Sequence, residues 1–219
     1  MFWVTMIKQS AIFFSFLLSS ITLPAVANPG WFGTIGVGLN SPGDIDASTN
    51  YFGTKYLGTE KLDGGFSGEI GFGYDFGNNW KTFLSYSTHN FEYKEGEING
   101  TKYVITGADA TGNILSLNTI KIFGESKIKP YFGGGIGFGS SEVSAATVTI
   151  GGTTLTVDWG TTDNIFVYNL RGGAEYPIGK KSDIFAEVTM FGYGERSKDS
   201  VDYEGNQVYT FLVGTKFKF

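Results

Sequence analysis

Cysteine is absent from the 219 residues, and histidine occurs once, at His89. The lack of cysteine excludes disulfide staples, thiolate catalysis and cysteine-based metal sites. Proline is scarce, at five residues, and no stretch keeps a helical period of apolar positions. Charged residues make up only 17% of the chain, with a formal net charge of −5 and no basic stripe, which argues against nucleic-acid binding. What the chain has instead is glycine and aromatics: 33 glycines, and 16% Phe, Trp and Tyr. That pairing suits all-β structure, with close packing on one side of the strands and rings against an apolar phase on the other.

The N-terminal segment carries Lys8 as its only charge before the apolar run of residues 11–23, and closes on Ala25-Val26-Ala27. A charge, a short apolar run and a small-x-small end form a secretory signal, with cleavage expected between Ala27 and Asn28. The run is shorter than the roughly 20 residues a helical membrane span needs. Residues 28–219 then form one β domain, too short for a barrel plus a second globular domain of ordinary size.

Strand alternation is clearest at the C-terminus. Tyr209, Phe211, Val213, Thr215, Phe217 and Phe219 fall on one face, and Thr210, Gly214, Lys216 and Lys218 on the other. From Phe66 to Phe76 the same pattern recurs, with Ile70, Phe72 and Tyr74 opposite Glu69, Gly71, Gly73 and Asp75. At about 3.4 Å per residue an 11-residue strand is roughly 37 Å long, or roughly 26 Å high at a tilt of about 45°, the height of a transmembrane barrel's apolar band. Further runs span 31–40, 80–93, 112–124, 129–140, 164–177 and 183–195, giving eight strands in all. The run 112–124 changes parity between Leu115/Leu117 and Ile120/Ile122, which predicts a bulge.

Connections alternate in length. Residues 77–79, 125–128 and 178–182 are short turns, whereas 41–65, 94–111, 141–163 and 196–206 are long, as in an up-and-down outer-membrane barrel. Trp31, Phe76, Trp80, Tyr131, Tyr176 and Phe219 gather at the short-turn side as an aromatic girdle. Asn99-Gly100 and Gly151-Gly152 supply the positive φ angles of tight hairpins inside two of the long connections, so strands are expected to protrude, and a ten-stranded count stays open.

The segment Ile128-Lys-Pro-Tyr-Phe-Gly-Gly-Gly-Ile-Gly-Phe-Gly139 resembles the Pro-Tyr-hydrophobic-Gly-x-Gly strand of the small outer-membrane barrels that include the membrane domain of outer membrane protein A, outer membrane protein X and related surface antigens. Trp31–Leu39 is similar to that family's opening strand. The resemblance covers the whole mature chain and implies an eight-stranded antiparallel barrel. It also implies that Tyr209, Phe211, Val213, Phe217 and Phe219 form the C-terminal signal read by the barrel-assembly machinery. The motifs specify architecture and no activity, and a peptidoglycan-binding domain is not implied.

Inside such a barrel, Glu69, Asp75, Lys81, Lys121, Arg171, Glu175, Glu187 and Lys216 are expected to form a lumen network of paired charges, because an eight-stranded bore is just filled by its side chains. A plugged interior follows, with a small porin as the alternative. Lipid-modifying catalysis is a distant third: Ser85, Ser87 and His89 share a strand, but parity turns His89 inward or above the membrane, where a polar residue at the rim would be solvated. No cofactor is expected. The loop carboxylates Asp44, Asp46, Asp158, Asp163, Asp199, Asp202 and Glu204 lack calcium-loop spacing, so no metal is expected either. The expected partners are outer-membrane lipid, the assembly machinery and a surface partner met through the loops, the protein acting as a monomer. A soluble lipocalin-type barrel, apolar inside and polar outside, is the alternative fold.

Overall fold

The computed structural model describes residues 29–51, 54–124, 126–158, 160–198 and 201–219. The signal segment, its Ala27/Asn28 junction and Asp199 lie outside them. In chain order the strands are β1 (Gly30–Pro42), β2 (Ile45–Tyr51), β3 (Thr54–Asp75), β4 (Trp80–Ile98), β5 (Thr101–Ile122), β6 (Lys129–Val143), β7 (Ala146–Ile150), β8 (Thr153–Val157), β9 (Gly160–Pro177), β10 (Ser182–Tyr193), β11 (Arg196–Lys198), β12 (Val201–Tyr203) and β13 (Gln207–Lys218). Eight of them close a ring in the order β1-β3-β4-β5-β6-β9-β10-β13, and β13 returns to β1 with Gly36 opposite Gly214. Every neighbouring pair is antiparallel. The count is eight.

Alternation at period two gives the ring its two faces. Outside, Val37, Phe72, Leu84, Leu115, Ile136, Phe166, Val188 and Phe211 are exposed, and together they make an apolar band. Trp31, Trp80, Tyr176 and Phe219 stand exposed at the short-turn end, as the girdle requires. Tyr131 does not belong to them: it is buried inside the ring with Phe32, Phe83, Ile120 and Ile122.

The expected bulge in the fourth run is also absent. β5 keeps unbroken register with β6 from Ala110 to Ile122, and with β4 from Ala108 to Lys121. Leu115 and Leu117 face out while Ile120 and Ile122 face in, so the parity change reflects an apolar layer inside the turn end of the barrel.

The long connections are mostly strand. β3, β4 and β5 run on beyond the apolar band, and β2, β12 and β11 flank this distal sheet on one side, β7 and β8 on the other. Asn99 (φ 47°) with Gly100 (φ 83°), and Gly151 (φ 56°) with Gly152 (φ 85°), form the two predicted tight turns. The distal sheet has its own core of Ile45, Tyr93, Tyr103, Ile105, Ala108, Ala110, Ala146 and Val148.

Candidate functional site: the lumen and the distal extension

The lumen is filled in layers. Nearest the turns, Lys81 of β4 donates to both oxygens of Glu175 on β9 at 2.9 and 3.2 Å. Lys216 of β13 bridges Glu175 to Asp183 of β10, the latter at 3.0 Å. Lys218 reaches the other Asp183 oxygen at 2.8 Å from the rim. Asp75 is also at the rim, 3.6 Å from Lys81, and accepts the Gly77 N–H that closes the turn. Both buried ammonium groups face the Phe32 ring, at 5.7 and 5.9 Å.

Above lies Arg171 of β9, 1% exposed. Its guanidinium forks to Glu69 of β3 at 3.1 and 3.1 Å, donates to Glu187 of β10 at 3.2 Å and packs over the Phe83 ring. Ser87 donates to Glu69, while Thr189 and Tyr131 donate to Glu187. The chain of bonds continues from Asn169 to Asn118 at 2.8 Å and from Asn118 to Ser85 at 3.0 Å. Buried charges survive only when paired and hydrogen-bonded, and each of these carboxylates meets both a cation and neutral donors. Gly135 of β6 keeps this layer compact, since a Cβ there would collide with the Asn118 side chain.

At the next level Asn40 stitches three strands. Its amide donates to Phe66 O, Ser67 Oγ and Asn90 O, and its oxygen accepts the Gly65 N–H where the β3–β4 register shifts. Ser67 Oγ lies 2.9 Å from His89 Nδ1. His89 is therefore inward and buried rather than solvated, and its ring packs edge-on against Phe191 at 4.9 Å. An apolar layer of Ile114, Ile165, Val167, Phe191 and Val208 caps it. Two cavities in this interior measure about 20 and about 30 Å³, room for roughly one water each.

Of the eight residues expected in the lumen, Glu69, Lys81, Arg171, Glu175, Glu187 and Lys216 are buried together there, and Asp75 guards the mouth. Lys121 is on the other face. It is exposed, with its ammonium 5.4 Å from the Trp80 ring and 5.7 Å from Phe123, because the inward positions beside it are taken by Ile120 and Ile122. A lysine at that level can extend its charge to the interface while its stem lies along apolar surface. Asp183, Asn118 and Tyr131 were missed as network members. Asp183 and Asn118 sit at inward parity, so a reading that counted neutral amides and strand-end acids would have found them, whereas Tyr131 belongs to the apolar layer beside the turns.

On the outer face of β13, Tyr209, Phe211, Val213, Phe217 and Phe219 are all exposed in one row. The Phe219 N–H is bound to Trp31 O at 3.0 Å, which ties the last residue to the first ring strand. Among the described residues no group of three or more His, Asp or Glu side chains is placed to hold a metal ion.

No protein-family model matches the sequence, and no curated protein matches it. Solved structures do. Neisserial surface protein A is 17% identical over 88% of this chain and all of that one, with a TM-score of 0.51. The outer membrane protein OprG of Pseudomonas aeruginosa is 16% identical over 87% of this chain and 96% of that one, with a TM-score of 0.52. The outer membrane protease OmpT of Escherichia coli is 9% identical over 91% of this chain and 100% of that one, with a TM-score of 0.50. An eight-stranded closed ring, an apolar outer band and a polar filled lumen, together with these matches, give the chain the fold of the small outer-membrane β-barrels.

Proposed function

We propose that the protein is an integral outer-membrane barrel, closed to solutes, that acts through its distal sheet at the cell surface. The observation that carries this reading is the Arg171–Glu69–Glu187 layer, which fills the bore with paired buried side chains and leaves room for about a single water. A pore needs a continuous wet path. Here the polar layers are capped by Ile114, Val167 and Phe191, and the apolar cap gives ions no ligands.

The extension is where contacts with other molecules are open. Among the described residues, four hairpins lift strand edges and side chains beyond the apolar band, and the β8 edge Thr153–Val157 has no strand on its far side. Such an edge can accept an extended partner segment. The outward row from Tyr209 to Phe219 is the part we assign to lipid contact and to the assembly machinery. The single histidine supports a non-catalytic reading, since its ring is sealed between Ser67 and Phe191 with no access for a substrate.

Planar-bilayer recording of the refolded chain tests this directly. Closed bilayers, with no stable stepwise currents at any applied voltage, are expected. Sustained single-channel steps would replace this reading with that of a small porin.

A further inference from the structure

On the outer face of the ring, beside the turns, an open groove of about 630 Å³ crosses β9, β10 and β13. Register explains it. Across the strands Ala174, Ala186 and Val213 stand in one outward row, with Tyr176 and Ile184 on its turn side and Val188 and Phe211 on the other. Two alanines side by side leave a trough between taller neighbours. Ile128, exposed on the β5–β6 turn, also lines it. Glu175 borders the groove too, but its carboxylate turns inward to Lys81 and Lys216.

The turns at the end of this groove are basic. Lys127 lies on residues 125–128, Lys180 and Lys181 lie on residues 178–182, and all three are exposed. The two turns are neighbours, because β6 and β9 pair with Lys129 opposite Glu175. Ser182 O fixes the second turn by accepting the N–H groups of Ile178 and Gly179 at 3.0 and 3.2 Å, and Lys181 O accepts the Lys218 N–H at 2.8 Å. In sequence these turns carry three lysines against one acid, Glu125, whereas the four long connections carry 13 acids against six cations. An anion is therefore drawn to the turn end of the molecule and repelled from the distal end.

We infer that the groove and the lysines beside it form a binding site for a phospholipid with an anionic head, of the phosphatidylglycerol type, in the leaflet that meets the short turns. An acyl chain lies in the alanine trough, and the phosphate stands past Tyr176 and Ile184 among Lys127, Lys180 and Lys181. Tyr176 belongs to the girdle, so the boundary between acyl chains and headgroups falls between the trough and the lysines. A soluble anion fills only the basic end of such a site, and a neutral lipid only the apolar end. The inference rests on the reading that the outward band faces lipid.

The test embeds the full mature chain, methyl-labelled at Ile, Leu and Val, in phosphatidylcholine nanodiscs doped with rising fractions of phosphatidylglycerol. Shifts at Ile128, Ile184 and Val213 should saturate at a low fraction, while Leu84 and Leu115, on the outer face of β4 and β5, should follow lipid composition without saturating. Lys127→Gln, Lys180→Gln and Lys181→Gln together should raise the half-saturating fraction by about tenfold or more. Ala186→Phe, which fills the trough with an apolar ring on a face that meets lipid, should abolish saturation while the lumen methyls of Ile114 and Val167 stay where they are. The proposal is overturned if the groove methyls follow composition as Leu84 and Leu115 do, as an unselective lipid belt would. It is equally overturned if either variant keeps the parent's half-saturating fraction. Relaxation of Leu84, Leu115 and Val213 alike by a water-soluble nickel chelate would instead overturn the membrane reading itself, so the two failures are distinct.

Discussion

One strand, β5, passes through two regions built on opposite rules. Between Ile114 and Ile122 its outward residues include Leu115 and Leu117, and its inward ones Ser116 and Asn118. Between Lys102 and Thr111 the outward residues are Lys102, Val104, Thr106, Asp109 and Thr111, polar but for Val104, and the inward ones Tyr103, Ile105, Ala108 and Ala110. The backbone is continuous across this inversion. What changes is the phase outside: against lipid the strand sends its polar groups inward, and against water it sends its apolar groups inward. The barrel and its extension are therefore filled differently, the first by a paired charge network held between two apolar layers and the second by an ordinary hydrophobic core.

The largest effect expected from breaking this contrast is at Arg171. Arg171→Leu leaves Glu69 and Glu187 facing each other in the bore without their shared cation, and should cost about 3–5 kcal/mol of unfolding free energy. Urea unfolding of the lipid-embedded protein, followed by tryptophan fluorescence, measures it. Unchanged stability would mean that the network is not the interior's support.

A matched pair on the outer face comes next. Phe72→Arg places a charge in the apolar band and should cost roughly 2–4 kcal/mol in the same unfolding assay. Val104→Arg, equally exposed but on the distal sheet, should stay within about 0.5 kcal/mol of the parent. Equal penalties at the two sites would show that one solvent surrounds both.

Within the extension, Ile105→Val removes one methylene from the distal core and should cost about 0.5–1.5 kcal/mol, with hydrogen exchange accelerated in β5 and β7 and unchanged in the barrel. The smallest effect is at the exposed ion pair Lys61–Glu95, 2.8 Å apart with both side chains about half in solvent. Lys61→Gln should leave the unfolding midpoint unmoved at physiological salt, because water and ions screen the pair.

This inversion also explains how much could be read from the sequence. Eight runs of alternation marked the ring strands closely, since lipid outside and polar packing inside give the cleanest period-two pattern. The continuations of β3, β4 and β5 read as loops because their outward residues turn polar, as in Lys94, Glu97, Lys102 and Thr106, and only Asn99-Gly100 and Gly151-Gly152 betrayed the hairpins. The soluble-barrel rule of apolar inside, weighed as an alternative for the whole chain, describes the core of this extension, while Leu57, Val104 and Leu155 stand exposed on its outside.

In the lumen, Arg171, Glu69 and Glu187 were legible because a charge at alternating parity in an apolar strand has one place to go. Lys121 and Tyr131 were misread by the same logic. Next to the turns the bore holds an apolar layer of Phe32, Phe83, Ile120 and Ile122, so an aromatic can face in and a lysine can face the interface. Sequence parity alone has no way to register that layer, since it depends on which strands the ring brings together.

The most direct measurement is nitroxide accessibility along the outward face of β5, with labels placed singly at residues 117, 115, 109 and 106 of the membrane-embedded protein. Labels at 117 and 115 should be relaxed strongly by oxygen and shielded from a water-soluble nickel chelate, and labels at 109 and 106 should show the reverse. The chelate reaching all four positions equally, or oxygen dominating at 109 and 106 as well, would contradict the account.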